Sequence, residues 1–164
     1  MRIFISYRRA DLGGHAEMFV GRIADRLIAQ FGDPNVFLDI KTIPPGPEFD
    51  EFIGEQVAQT DAPLAIIGPE WLAELQARAR QRDDFVNIEI KAALERRKHL
   101  IPVLLGGASM PEPEKLPITL KRLSKKNAFV VDSGRDFHDH LTNLIDELES
   151  LTSRLISTTV LSGR

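Results

Sequence analysis

Apolar residues in this chain fall into two kinds of segment. Short segments dominated by apolar residues, read as strands, occur at 2–6 (Arg-Ile-Phe-Ile-Ser), 36–38 (Val-Phe-Leu), 63–67, 100–105 and 128–131. Between them, apolar positions recur every third or fourth residue. Met18, Phe19, Ile23, Leu27, Ile28 and Phe31 place a helix over 13–31, which Gly32-Asp33-Pro34 ends. Phe49, Phe52, Ile53 and Val57 predict a second helix over 48–60, and a short third follows from Trp71 to Ala79. Asp83 or Asp84 is the expected cap of a fourth helix running to about Lys98. One or two turns are expected over 118–123, and a last helix over 137–151.

Strands that alternate with helices imply a parallel sheet covered on both faces. The runs lack strict polar alternation, as buried parallel strands do. Pro102 within the fourth run suggests an edge strand or a bulge. Thr152 to Arg164 shows little pattern and reads as a frayed end or the start of a linker. Ligands of such sheets bind beyond the carboxyl ends of the strands, where Tyr7-Arg8-Arg9 and Asp39 fall.

Composition narrows the classes. A chain of 164 residues, 43% hydrophobic and 27% charged, suits one globular domain. A net charge of −3 supplies no general field for a nucleic-acid polymer, so basic sites must be local. Cysteine is absent, which excludes disulfides and a thiol nucleophile. No apolar run approaches the roughly 20 residues of a membrane span, so the expected location is cytoplasmic, away from the membrane.

Few residues offer chemistry. Arg8 and Arg9 end the first strand, and the guanidinium fork suits phosphate; a solvated pair is the alternative. The following Gly13-Gly14 has neither the dinucleotide-binding nor the P-loop spacing. Phe85 and Glu89 are four residues apart and share a helical face. That pair is either an aromatic with a functional carboxylate, or a core aromatic with a solvated flank residue. Asp39 is a site residue or a turn cap, and Trp71 a core or helix-anchoring residue. His138 and His140 with Asp136 and Asp139 look like metal ligands, but positions two apart diverge by about 200° on a helix, so a capped helix start is expected. The runs 78–82 and 96–98 read as solvated basic faces, and no histidine is placed to serve Ser6 as a base.

Taken in order, these segments resemble a TIR (Toll/interleukin-receptor) domain over nearly the whole chain. Phe4-Ile-Ser-Tyr-Arg-Arg9 is similar to the first box of that family. Val36-Phe-Leu-Asp39, followed by Pro45-Gly46, resembles the second box and its loop. Asp84-Phe-Val-Asn-Ile-Glu89 resembles the segment that ends in the catalytic glutamate of NAD-cleaving members, with Phe85 where the family usually has Trp. Ile101-Pro-Val103 matches the fourth strand.

The resemblance implies an α/β fold: a flavodoxin-like three-layer sandwich with a five-stranded parallel sheet. The TIR domain would span 1–150, and 151–164 would be a tail or the start of a linker to a sensor domain, such as one that binds a cyclic nucleotide. It also implies an NAD+ nucleosidase, giving ADP-ribose or a cyclic variant, with NAD+ as substrate and no further cofactor. Glu89 would be catalytic, and Tyr7, Arg8, Arg9, Asp39 and Phe85 would bind substrate. Self-association, extending to filaments, would use Ile43, Pro44, Pro45, Gly46 and Pro47. The expected setting is a bacterial antiphage effector. The alternative within the same family is a non-enzymatic TIR–TIR interaction module. A flavin carrier fits poorly, because the first loop lacks a Ser/Thr-rich phosphate cradle.

Overall fold

A computed structural model of the chain describes residues 1–38, 48–81, 83–132 and 134–162. Five strands form one sheet: β1 (Ile3–Ser6), β2 (Val36–Leu38), β3 (Ala62–Ile67), β4 (Ile101–Leu105) and β5 (Phe129–Val131). All pairs are parallel, in the order β2-β1-β3-β4-β5. The helices are α1 (Ala16–Phe31), α2 (Phe49–Ala58), α3 (Trp71–Ala77), α4 (Phe85–Glu95) and α5 (Phe137–Ser162). A 3₁₀ turn over Leu12–Gly14 precedes α1, and another spans Ile118–Lys125.

The period of two along a strand divides the core. Leu64 and Ile66 of β3 join Ile3, Ile5, the α1 residues Val20, Ile23 and Leu27, and the α5 residues Leu141, Leu144 and Leu148 on one face. Ala65 and Ile67 point the other way, to Ile53 and Val57 of α2, Trp71 and Leu75 of α3, and Ile90 and Leu94 of α4. Helix, sheet and helix therefore make three layers, the α/β sandwich that the alternating runs imply.

Two expectations change. Pro102 does not mark an edge, because β4 lies between β3 and β5. Pro102 stands opposite Ala65, whereas β5 joins only from Val103 onward. On that flank no strand yet requires the donor that proline lacks. Pro63 of β3 is accommodated alike: it faces Phe4 of β1, and β4 begins opposite the next residue, Leu64.

The last helix does not end at Leu151 but continues to Ser162. Leu148, Leu151 and Leu155 carry its apolar stripe past the expected boundary, and Ser153, Ser157, Thr158 and Thr159 turn their hydroxyls back to carbonyls one turn earlier. No described helix is long and apolar enough to cross a membrane.

The placement of α5 predicts a contrast along one helix. Leu148→Ala should destabilise the protein by about 2–5 kcal/mol, since it leaves a cavity beneath the sheet. Ile156→Ala, at a position 61% exposed, should change stability by no more than about 0.5 kcal/mol. Urea unfolding followed by circular dichroism measures both.

Candidate active site

In this strand order β1 is flanked by β2 on one side and β3 on the other, so connections leave its end in opposite directions. Such a switch point opens a crevice at the carboxyl end of the sheet. A cleft of about 530 Å³ lies there. Its walls are Tyr7 to Ala10 of the loop after β1, Glu74 of α3 and Arg78 just after it, and Asp83 to Val86 with Glu89 at the start of α4. That volume falls within the range of small-molecule sites.

Glu89 is a buried acid of the cleft, as is Asp84. It is only 4% exposed, and Ser6 Oγ donates a 2.6 Å hydrogen bond to its Oε2. Phe85, one turn earlier, is 38% exposed. The burial is thus the reverse of a core aromatic with a solvated acid. A buried carboxylate is costly unless hydrogen-bonded, and Ser6, the last residue of β1, supplies that bond from 83 residues away.

Arg8 is also buried, and its fork is committed. Its two terminal nitrogens donate to Asp84 Oδ1 and Oδ2 at 2.8 and 2.9 Å. The guanidinium lies 5.6 Å from the centre of the Trp71 ring, which forms its apolar floor. Asp84 precedes α4 but makes no side-chain capping bond, so the expected cap is instead the partner of Arg8. Tyr7 and Arg9 line the mouth. The Tyr7 hydroxyl and Arg9 Nε approach Glu17 Oε1 at 3.4 and 3.5 Å, all near solvent. Arg78, which also lines the cleft, reaches Glu74 at 3.4 Å.

Behind the cleft a second polar group joins two loops. Asp11 accepts from the backbone N–H groups of Leu12, Gly68 and Glu70 at 2.9, 2.8 and 2.9 Å. Glu70 Oε2 accepts from the same Leu12 N–H at 2.8 Å. Burial, and then the hydrogen bond with Glu70, push the Asp11 carboxyl above its ordinary range. The hydrogen bond to Asp11, and then that from Leu12, hold Glu70 below its own.

Of the residues expected at a site, Tyr7, Arg8, Arg9, Phe85 and Glu89 line this one cleft. Asp39 and the loop residues Ile43, Pro44, Pro45, Gly46 and Pro47 lie outside the described residues. Ser6, Asp11, Glu70 and the Asp84 pairing escape a local reading, because their partners are distant in sequence. The local signal is weak: Asp11 and Glu70 each stand in the loop that follows an apolar run, while Asp84 stands beside none. Trp71 is fully buried, as a helix-anchoring core residue should be. His140 accepts from the Asp132 N–H at 2.9 Å, and no group of acids and histidines among the described residues has the arrangement of a metal site.

The arrangement can do two things chemically. A carboxylate fixed in the cleft and itself almost wholly out of solvent can stabilise positive charge developing on a bound molecule. The exposed aromatic beside it, Phe85, offers a face for a flat ring.

The TIR domain family model matches residues 3–145. Over 147 residues the chain is 25% identical to the NAD(+) hydrolase sarm1 of Drosophila melanogaster, a match covering 90% of this chain and 10% of that protein. The chain therefore spans about a tenth of the length of this relative. The TIR domains of the activated Roq1 resistosome, which directly recognises the pathogen effector XopQ, superpose with a TM-score of 0.63 at 10% identity, over 90% of this chain and 98% of theirs. A prokaryotic SEFIR domain superposes with a TM-score of 0.50 at 18% identity, over 92% and 96%. At such identities the two structures show the shared fold alone.

The Arg8–Asp84 pair yields a stability prediction. Asp84→Ala leaves a buried charge unpaired and should cost about 3–5 kcal/mol, whereas the double change Arg8→Met with Asp84→Leu should fall near neutral. A double-mutant cycle by urea unfolding measures the difference.

Proposed function

The chain belongs to the TIR domain family, and we propose that it is an NAD+ nucleosidase in which Glu89 is the catalytic residue. The observation that carries this reading is the buried Glu89 carboxylate in the cleft, held by Ser6. The named activity of the sarm1 relative supports it from outside.

The chemistry asks little of the protein. The bond between the ribose C1′ and the nicotinamide nitrogen breaks, and its electron pair stays with the nitrogen. The ring leaves neutral, so no general acid is needed. Positive charge develops on the ribose, as in glycoside hydrolysis. The Glu89 carboxylate stabilises that charge and holds the ribose hydroxyls. Water then attacks C1′ and loses a proton, giving ADP-ribose; attack by an atom of the adenine would give a cyclic product instead. Ser6 keeps Glu89 Oε2 in place, so the carboxylate does not reorganise as charge appears. Phe85 stacks on the nicotinamide. Arg9 and Tyr7, at the mouth, face the nucleotide phosphates and ribose. Arg8 shapes this wall while paired with Asp84.

On the same reading, self-association completes the site through the loop at 40–47, whose prolines lower the cost of ordering it at an interface. The assembled TIR domains of the Roq1 resistosome lend this support. The chain would then act as the effector part of a longer defence protein, with a sensor supplying the trigger. A second reading, a non-enzymatic TIR–TIR module, draws on the internal use of Arg8, whose terminal nitrogens donate to Asp84.

Nicotinamide release from NAD+, measured by chromatography with the protein dilute and then clustered on beads, tests the reading. Release should appear on clustering, and Glu89→Gln should lower kcat by about 10²–10³-fold or more. Ser6→Ala should lower kcat by about 10–100-fold with KM little changed, the loss of one hydrogen bond to a charged group. No release from the clustered protein, or equal release from Glu89→Gln, would move the weight to the interaction module.

A further inference from the structure

Between the cleft and the core lies a group that the reaction does not use. Asp11 is 2% exposed, and its three backbone donors come from two loops: Leu12 on its own, and Gly68 and Glu70 on the loop after β3. Leu12 has φ +55°, a left-handed conformation uncommon for leucine, and Gly13 and Gly14 continue it at +63° and +84°. The Leu12 N–H, shared by Asp11 Oδ1 and Glu70 Oε2, adds to the backbone bonds Gly14 N–H to Asp11 O and His15 N–H to Leu12 O that close this turn. Gly68 is required on the other side. A Cβ there would meet Asp11 Cγ at 2.6 Å, so only glycine lets the carboxyl approach this closely.

The place of this junction in the chain gives it a meaning. Asp11 directly follows Tyr7 to Ala10, which form one wall of the cleft. Glu70 directly precedes Trp71, the first residue of α3, and α3 with its C-cap brings Glu74 and Arg78 to another wall. Trp71 also floors the guanidinium of Arg8. The two walls hang from one side-chain carboxyl.

We propose that Asp11 is a positioning residue, a clamp whose carboxyl bridges the loop after β1 to the start of α3 and so sets the width of the substrate cleft. Glu89 stands outside the clamp, since α4 and Ser6 hold it. Loosening the clamp therefore weakens substrate binding more than it slows the chemical step. A substrate as long as a dinucleotide must touch both walls at once, which is where a fixed width matters.

Two readouts test this, and only the second rests on the NAD+ reading above. The chain has a single tryptophan, Trp71, and it is fully buried at the clamp. Acrylamide quenching of its fluorescence should rise severalfold in Asp11→Ala with far-ultraviolet circular dichroism unchanged. Gly68→Ala displaces the carboxyl without removing it and should do the same, which covers the event that Asp11→Ala fails to fold. Asp11→Asn keeps one acceptor oxygen for Leu12 and Glu70 but loses that for Gly68, and should lie between.

In the second readout, NAD+ affinity is measured by equilibrium binding to the Glu89→Gln protein clustered on beads, with and without these changes. Kd should rise about tenfold or more. In the protein with Glu89 intact and clustered, KM should rise by the same factor while kcat stays within about threefold. Quenching equal to the parent in folded Asp11→Ala and Gly68→Ala would overturn the clamp, whatever the substrate. Raised quenching with unchanged Kd would overturn its role in the cleft. If the parent binds no NAD+, the enzymatic reading fails, the claim about the substrate cleft falls with it, and quenching alone decides whether the clamp exists.

Discussion

Two polar links tie the end of β1 to the start of α4, and the site depends on their spacing. Ser6 reaches Glu89 at 2.6 Å, and Arg8 reaches Asp84 at 2.8 and 2.9 Å. Two residues of extended chain advance about 6.6 Å, and five residues of helix rise about 7.5 Å. The near match lets both links close together, with α4 running against the direction of β1. Each is buried, so each must close: an unpaired Arg8 or an unbonded Glu89 would carry the full cost of desolvation. A one-residue slip of α4 would turn its face by about 100° and break both. The pair need not add net stability to fix that register.

From this constraint the division of labour follows. Glu89 is held by β1 and α4, which are regular elements packed into the core, so the reacting carboxylate sits on the rigid part of the fold. Tyr7, Arg9, Glu74 and Arg78 sit on a loop and on a short helix with its C-cap, which meet through Asp11 and Glu70. The deep group is fixed by secondary structure and the mouth by a side-chain junction.

Much of this was legible in the sequence. Short apolar runs located the five described strands, and helical spacing located α1 and α2, because both patterns are local. Pro102 misled because a proline is tolerated inside a parallel sheet wherever the neighbouring strand has not yet begun. The end of α5 was missed because its last turns carry Ser and Thr, which lower helix propensity and yet bond back to the helix itself. The site was harder. Phe85 and Glu89 could be seen to share a face, but which of them is buried depends on Ser6, 83 residues from Glu89. Asp84 reads as a cap until Arg8 is seen to claim both of its oxygens. Asp11 reads as a loop residue until Gly68 and Glu70 are folded against it.

The most direct single measurement is a crystal structure of Glu89→Gln protein with NAD+. The nicotinamide ribose should lie against residue 89, with the nicotinamide ring on Phe85 and the pyrophosphate between the walls joined by Asp11. NAD+ bound elsewhere, or this cleft occupied with its ribose turned away from residue 89, would contradict the assignment of Glu89 and with it the proposed chemistry.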